Sequence, residues 1–357
     1  MKALAFYLPQ FYPTAENDEW WGPGFTEWTN VARGRRMFPG HYQPRIPGEL
    51  GFYDLRNPET RQAQADLARA HNVHGFCYWH YWFGNGRRML ERPFAEVLAS
   101  GEPDFPFCLA WANEDWTRIW EENPTEMLVR QEYPGTDDKR RHFEALLPAF
   151  HDRRYVRIDD KPVFLLVKPW GLPEPRAFVD RWQTMATDAG LPGLFLVGLS
   201  KTRWKPSEVG FDGAVASRLV PPFRGRLLAD PGANRRPDWM LSALSRRAPG
   251  FPAVYPYERW SQHIPELLDD GDHSFPVVLP GWDNTPRHGR AGLVFHGETP
   301  ERFAAQVRRA VELVRERPPE RRWIFIRSWN EWAEGNYLEP DRKWERGFLE
   351  AFRTATS

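Results

Sequence analysis

The chain has 357 residues, a length that suits either two average domains or one α/β barrel. It carries 48 Lys and Arg against 48 Asp and Glu, so its formal net charge is zero. Nucleic acid is therefore not expected as a partner, because phosphate binding needs a basic surplus. Aromatic residues make up 15% of the chain and include 18 Trp, and a wide site whose indole faces stack on sugars is one explanation.

The sequence shows neither a membrane-spanning nor a disulfide-rich pattern. No stretch reaches the roughly 18 apolar residues that a spanning helix needs, so we expect no membrane insertion. The first residues, MKALAFYLPQFYP, are interrupted by two prolines and are unlike a signal peptide, so a cytoplasmic location is expected. The two cysteines exclude a disulfide framework, and no pattern indicates an oligomeric state.

Apolar runs alternate with helical patterns along the whole chain. Most runs are continuous rather than alternating, which is typical of parallel strands that are covered on both faces. Strands are predicted at residues 2–8, 73–81, 106–112, 162–168, 194–199, 212–217, 276–282 and 322–329. Helices are predicted at residues 59–71, 91–99, 139–150, 174–189, 259–269 and 300–316.

This alternation predicts one α/β domain over residues 1–357, a (β/α)8 TIM-like barrel with extended βα loops. A doubly wound open sheet is the alternative fold. The segment 218–260 is rich in Pro and Arg and follows the sixth strand, and we expect a long loop or small insertion there.

Polar and aromatic residues follow nearly every strand, at the end of a barrel where catalytic residues lie. This pattern is typical of a sugar-processing barrel. The predicted substrate-binding residues are Tyr7, Gln10, Trp28, His80, Tyr81, Trp111, Asn113, Glu114, Trp116, Trp282, Asp283, Asn284, Trp329, Asn330 and Trp332. Several have structural alternatives: His80 as a satisfied core histidine, Glu114 in a salt bridge to Arg118, and the pair at 283 and 284 in an Asx-type turn.

The most specific pattern is SWNEWAEG at residues 328–335, which contains Glu331 and Glu334. If the strand passes into a helical turn there, the two side chains share one face. Two adjacent carboxyl groups push their pKa values apart, so that one holds a proton while the other is ionised, as glycosidic bond cleavage requires. The alternative is a solvated Glu-x-x-Glu at a helix start.

No histidine or cysteine spacing indicates a metal site, and the sequence contains no Walker loop and no full G-x-G-x-x-G. We therefore expect no metal and no cofactor. An oligosaccharide or polysaccharide substrate is the expected partner.

Six motifs together resemble the WbsX-like group, which is related to glycoside hydrolase family 99 and occurs among bacterial polysaccharide and lipopolysaccharide biosynthesis proteins. The motifs are FYLPQFYPTAENDEWWGPGFTEWTNV, YQPRIPGELGFYDLR, GFCYWHYWF, FPFCLAWANEDWTR, PGWDNTPR and SWNEWAEGNYLEP. The resemblance extends from residue 6 to about residue 341 and implies a (β/α) barrel that attacks an α-linked glycan in a retaining, endo fashion.

In family 99 a motif of the form N-E-W-x-E-G carries both catalytic carboxylates, and here it spans Asn330 to Gly335. The resemblance implies that Glu334 is the general acid/base and that Glu331 deprotonates the sugar 2-hydroxyl, so that this oxygen attacks the anomeric carbon. A 1,2-anhydro sugar would be the intermediate, and an α-mannoside has the required trans geometry. The first-strand motif, YLPQFYP, departs from that of the characterised mannosidases.

Three functions are consistent with the sequence. The first is a glycoside hydrolase acting within a bacterial polysaccharide. The second is a glycosyltransferase or transglycosylase of polysaccharide or O-antigen biosynthesis, and the third is a non-catalytic carbohydrate-binding barrel.

Overall fold

The computed structural model describes residues 1–118, 126–200, 205–216, 251–262 and 273–357. Within these ranges nine parallel strand segments form a nearly closed barrel. Its strands are β1 (Lys2–Tyr7), β2 (Gly75–Trp82), β3 (Phe107–Trp111), β4 (Lys161–Leu166), β5 (Phe195–Ser200), β6 (Gly213–Ala216), β7 (Ser274–Phe275 and Val277–Val278) and β8 (Trp323–Ile326). The predicted barrel is confirmed, and each of the eight predicted strands overlaps an observed one.

The barrel closes through β7, which Pro276 divides into two short segments. Ser274 and Phe275 pair with β6, whereas Val277 and Val278 pair with β8. Pro276 has no N–H to donate, but its carbonyl accepts a hydrogen bond from the Phe325 N–H at 2.9 Å. The two edge strands of the sheet are thus these two segments, which are separated in the chain by Pro276 alone.

Helices cover the outside of the barrel between the strands. They are α1 (Ala15–Trp21), α2 (Glu27–Ala32), α3 (Pro58–Ala70), α4 (Arg92–Ser100), α5 (Thr136–His151), α6 (Pro175–Asp188), α7 (Tyr257–Ser261), α8 (Thr285–His288), α9 (Pro300–Val314) and α10 (Gly347–Thr356). Side-chain caps fix the starts of α1, α3 and α9: Thr14 accepts from the Asn17 N–H, Asn57 from the Glu59 N–H and Thr299 from the Arg302 N–H. Apolar side chains on the inner face of α9, among them Phe303 and Val307, are fully buried in the core.

The strand predicted at 276–282 is shorter in the structure. The chain leaves the barrel after Val278, and Pro280 cannot continue the ladder because it lacks an N–H. Trp282–Asp283 instead pairs antiparallel with Leu293–His296, which pairs in parallel with Ala253–Pro256. Trp282 and Asp283 therefore belong to this three-stranded side sheet and not to the barrel.

Two other predictions fall partly outside the described residues. Residues 218–250 of the expected 218–260 insertion are not described, and the remainder contributes Ala253–Pro256 and the start of α7. Of the helix predicted at 259–269, only residues 259–262 are described, and α7 ends there at Ser261.

Additional short strands are Arg88–Met89, Trp116–Thr117, Met127–Val129, Arg157–Ile158, Asn330–Glu331 and Asn336–Tyr337. Cys77 and Cys108 are buried free thiols on neighbouring strands β2 and β3. In the part of the chain that is described, no helix combines the length and the apolar character needed to cross a membrane.

Candidate active site

A cavity of about 300 Å³ opens at the carboxyl ends of the barrel strands. Because parallel strands all end at the same rim, side chains from loops far apart in sequence converge there. The lining residues are Leu8, Gln10, Trp21, Trp79, Tyr81, Ala112, Glu114, Asp115, Trp116, Thr117, Leu128, Val167, Leu199, Arg287, Arg327, Glu331 and Glu334.

Glu331 and Glu334 enter the cavity from the loop after β8. Asn330–Glu331 pairs antiparallel with Asn336–Tyr337, and a single 3₁₀ turn, Trp332–Glu334, joins the two segments. In a 3₁₀ turn the side chains at i and i+3 are eclipsed, so the two carboxyl groups lie on one face and share a hydrogen bond.

Gly335 ends this turn with a φ of +57°, in the left-handed region that favours glycine. A Cβ atom there would also lie 2.8 Å from the Cβ of Asp283. The turn that presents the two glutamates therefore requires glycine at this position for two independent reasons.

The two carboxyl groups have opposite protonation preferences. The pKa of Glu331 is raised to about 8, mainly by burial and next by the neighbouring charge of Glu334. Its Oε1 accepts a hydrogen bond of 2.7 Å from the Trp79 indole N–H. Burial acts to raise the pKa of Glu334, but Arg287, the hydrogen bond from Glu331 and the charge of Arg327 together outweigh it, so the pKa is lowered.

Arg287 bridges Glu334 to a third carboxylate, Glu27. Its Nη1 lies 2.6 Å from Glu334 Oε1, and its Nη2 lies 2.7 Å from Glu27 Oε1. Glu27 is fully buried, and burial raises its pKa against the attraction of Arg287. The arginine thus fixes the ionised partner of the pair, while Glu331 keeps a proton at neutral pH.

A buried polar network holds the Glu331 side of the turn from behind. Asn330 accepts from the Leu8 N–H at 2.7 Å and donates to the Leu8 carbonyl at 3.0 Å, so it ties the loop to the end of β1. Glu339 accepts from the Tyr53 hydroxyl at 2.8 Å, the Gln64 amide at 2.6 Å and the Trp332 indole at 2.6 Å. Its burial raises its pKa to about 7.

Asp283 holds the other side of the turn. It accepts from His41 at 2.8 Å, Gln43 at 2.7 Å and the Thr285 hydroxyl at 2.6 Å, and it is fully buried. Its carboxylate connects the loop after β7 to the His41 segment, and α8, which carries Arg287, starts two residues later. Asp283 therefore positions residues of the cavity without facing it.

Six of the predicted site residues line the cavity. They are Glu331, Glu334, Gln10, Tyr81, Glu114 and Trp116. Glu114 forms an ion pair of 2.9 Å with Lys168 at the mouth, rather than the alternative pair with Arg118. The Trp116 ring lies edge-on against Tyr81 at 5.0 Å and is half-buried, so part of an aromatic surface faces the opening.

Eleven of the predicted substrate contacts do not line the cavity but lie behind its wall. They are Tyr7, Trp28, His80, Trp111, Asn113, Trp282, Asp283, Asn284, Trp329, Asn330 and Trp332. Strand alternation explains His80, which points outward to His142 on α5 with 2.8 Å between the Nε2 atoms, whereas Tyr81 points inward. Trp111 also points outward, edge-on against the His142 ring at 4.7 Å.

Other members of this group support backbone or core. The Tyr7 hydroxyl donates to Gln64 at 2.7 Å. The Asn113 side-chain amide donates to the Lys168 carbonyl and accepts from the Lys168 N–H, both at 2.8 Å. Asn284 accepts from the Leu293 N–H at 2.7 Å, which agrees with the structural alternative for this segment.

The other four tryptophans of the group pack against neighbouring aromatic rings or backbone. Trp329 is fully buried beside Phe76, and Trp332 stacks on Tyr337 with 3.7 Å between ring centroids. Trp28 donates to the Tyr53 carbonyl at 2.7 Å, and Trp282 is buried in the side-sheet cluster.

Sequence reasoning missed Trp21, Trp79, Arg287 and Arg327 as lining residues, and Glu27 behind them. Trp79 could have been found, because it lies two residues before Tyr81 and therefore on the same face of β2. Arg287 and Glu27 lie in the quoted motifs but far apart in sequence, so no local spacing connects them. Among the described residues no three His, Cys, Asp or Glu side chains converge as metal ligands would.

The family model described as Glycosyltransferase WbsX matches residues 3–352 of the chain. Two proteins from Xanthomonas campestris pv. campestris, each described as uncharacterized protein WxcX, are similar to it. The one from strain B100 is 36% identical over 355 residues, and the one from strain ATCC 33913 is 37% identical over 367 residues. Both alignments cover 99% of this chain and 49% of the relative, so the chain spans about half the length of these curated relatives.

Solved structures share the fold over nearly the whole chain. A glycoside hydrolase-like protein has a TM-score of 0.60 at 13% identity, with 100% of this chain and 94% of that chain covered. The glycoside hydrolase family 99 endo-alpha-mannosidase from Bacteroides thetaiotaomicron has a TM-score of 0.57 at 14% identity, with 99% and 96% covered. At these identities the similarity shows the fold alone.

Proposed function

The chain belongs to the WbsX family, and we propose that it is a retaining, endo-acting glycoside hydrolase that cleaves an α-linked, mannoside-like bond in a bacterial polysaccharide. The observation that carries the proposal is the pair Glu331 and Glu334, hydrogen-bonded in a rim cavity and differing in protonation. The fold that the chain shares with a family 99 endo-alpha-mannosidase adds support.

In the proposed reaction the Glu331 carboxylate takes the proton of the sugar 2-hydroxyl, and O2 attacks the anomeric carbon. The glycosidic C–O bond breaks, and the leaving oxygen takes the proton of Glu334. Water then opens the 1,2-anhydro sugar: its proton goes to Glu334, its oxygen bonds the anomeric carbon, and O2 recovers a proton from Glu331. Each glutamate thus returns to its starting state.

The resting pair holds one proton, as this reaction requires, but holds it on Glu331 rather than on Glu334. The hydrogen bond between the carboxyl groups offers a direct path for its transfer. Proton transfer on substrate binding is therefore part of the proposal. The opposite assignment, with Glu331 as the acid, follows if no transfer occurs.

Leaving-group chemistry separates the two assignments. We expect Glu331→Gln and Glu334→Gln each to slow cleavage of an unactivated glycan by about 10²–10⁴-fold, the usual contribution of general acid–base catalysis. A 2,4-dinitrophenyl leaving group needs no proton, so it should restore the first step in the variant that lacks the acid and not in the variant that lacks the base. We expect this recovery for Glu334→Gln.

The assay combines reducing-end release and mass analysis on a panel of bacterial polysaccharides with rates on aryl α-mannosides. Glu312→Gln, an exposed residue of α9, is the matched control and should retain the parent rate. Parent-like cleavage by either site variant would remove that residue from the mechanism. Recovery by Glu331→Gln instead would reverse the roles.

A transferase is the second candidate, because the matching family model is described as a glycosyltransferase. Acceptor-dependent release of UDP or GDP from a nucleotide-sugar by the wild-type chain would support it against the hydrolase. A purely binding barrel would bind glycan equally well in both glutamate variants and show no turnover in any of them.

A further inference from the structure

Arg327 is the first residue after β8 and lines the same cavity as the glutamate pair. Its backbone N–H donates to the Val278 carbonyl at 2.9 Å, which fixes the chain at the junction of β7 and β8. Its guanidinium lies over the Trp282 ring at 5.3 Å from the centroid. The side chain is therefore held in place by stacking and remains partly exposed to the cavity.

Arg327 differs from the other cations near the cavity in having no acidic contact. Arg287 contacts Glu27 and Glu334, and Lys168 contacts Glu114. Over the described ranges no carboxylate oxygen lies within 4.0 Å of the Arg327 guanidinium, and its Nε is buried without a hydrogen-bond partner. A buried donor without a partner is unfavourable and uncommon in folded proteins.

A guanidinium is a planar fork of donors that matches the two oxygens of a carboxylate. We propose that Arg327 forms an anion-binding subsite that binds the carboxylate of a uronic acid. The glycan that binds in this cavity then carries an acidic sugar. This inference rests on the proposed function, which makes a glycan the ligand, and it adds that the glycan is negatively charged. A neutral hydroxyl would use one donor of the fork and leave its charge unpaired.

A different role for Arg327 would be electrostatic only, since its charge favours the ionised form of both Glu331 and Glu334. Arg287 already contacts Glu334 directly, whereas Arg327 contacts neither carboxylate. The two roles differ in a measurable way: an electrostatic residue changes the pH profile of cleavage alike for neutral and acidic glycans, whereas a subsite selects the acidic one.

Binding of three matched probes to the wild-type chain and to Arg327→Gln tests the proposal. The probes are methyl α-D-mannopyranoside, the corresponding C6 uronate and the corresponding 6-phosphate, titrated by NMR at low salt. In the wild type we expect the uronate to bind about tenfold tighter than the neutral glycoside, which a charge-assisted bond supports. The preference should fall below twofold in Arg327→Gln, recover in part in Arg327→Lys and weaken with added salt.

Arg315→Gln, at an exposed residue directly after α9, is the matched control and should keep the full preference. A preference for the 6-phosphate with the same dependence on Arg327 would support the subsite and assign a phosphate ester to it. Equal affinity of neutral and acidic probes, or a preference that survives in a folded Arg327→Gln, would overturn the proposal. Tighter, Arg327-dependent binding of UDP or GDP would also overturn it, since the anion would then be a donor diphosphate.

Thermal unfolding of each variant shows that it is folded before its affinity is compared. Since the readout is affinity, it is separate from turnover. Arg327-dependent binding of the uronate, together with no cleavage of any polysaccharide of the panel, would refute the hydrolase and leave the subsite standing. Cleavage of neutral and acidic glycans at equal efficiency would support the hydrolase and refute the subsite.

Discussion

Replacing Arg287 by Gln isolates the electrostatic role of the bridge between Glu27 and Glu334. The glutamine keeps most of the side-chain volume and can still hydrogen-bond, but it removes the positive charge that both carboxylates face. All three side chains are largely buried, with 11% of Arg287, none of Glu27 and 15% of Glu334 exposed. Solvent therefore screens these contacts little.

The size of the effect follows from the geometry. At an effective dielectric constant of about 20, two unit charges about 4 Å apart attract each other by about 4 kcal/mol. Arg287 makes two such contacts, and the cost of burying its own charge offsets part of the sum. Removing one partner of a buried ion pair destabilises proteins by about 3–5 kcal/mol, and we expect a loss in this range near neutral pH.

The loss should depend on pH in one direction. In the wild type the lowered pKa of Glu334 contributes stability that is present above the unfolded value of about 4.3 and is lost as the pH falls through the folded value. Replacing Arg287 removes the largest influence that lowers the pKa of Glu334, so we expect burial to raise this pKa and the folded variant to hold a proton that its unfolded chain loses. The stability difference should therefore widen from about pH 4 to pH 7, by at most about 1.4 kcal/mol per pH unit for each carboxyl group.

Urea unfolding of both proteins at several pH values measures this difference. Arg56→Gln is the control, because Arg56 pairs with Asp54 at the surface, where both side chains are about 40% exposed. Its effect should stay within about 0.5 kcal/mol at every pH. A loss that is constant from pH 4 to pH 7 would show that Arg287 acts through packing and would refute the electrostatic argument.

Two further predictions use residues on either side of the cavity wall. Trp116→Ala should weaken glycan binding with little change in unfolding temperature, whereas Trp282→Ala should lower stability by about 3–5 kcal/mol because it leaves a cavity in a buried cluster. Calorimetry measures the stability of both variants, and a titration measures their glycan affinity. Equal stability losses in the two variants would contradict the assignment. Burial raises the pKa of Glu339 to about 7, so the wild type loses stability as the pH rises from about 4.3 to 7. Glu339→Gln removes this carboxyl and should make stability less dependent on pH in that range. Parallel stability–pH curves for the variant and the wild type in urea unfolding would refute the role of Glu339.

The barrel was predictable because its strands are covered on both faces. Runs such as Val163–Leu166 contain no polar interruption, and in the structure these residues are fully buried. The glutamate pair was predictable for a related reason: spacing of three residues places side chains on one face of a turn whether that turn is α or 3₁₀.

The cavity lining was harder to predict because strand ends alternate in direction. Trp79 and Tyr81 face the cavity, while His80 and Trp82 face α5, and the sequence alone does not fix which of the two sets points inward. The end of β7 was misplaced for another reason. Pro280 turns the chain into the side sheet, so Trp282 became core rather than rim.

Two identical side chains in one turn have opposite protonation preferences, and the cause lies in their neighbours. Glu331 meets an indole N–H and is otherwise buried, whereas Glu334 meets the guanidinium of Arg287. The fixed networks of Asp283 and Glu339 on either side of the turn keep each carboxyl beside its own neighbour. Preorganised charge of this kind is what an acid–base pair needs, because no reorganisation is left for the moment of reaction. The asymmetry of the pair is thus a property of the barrel rim and not of the local sequence.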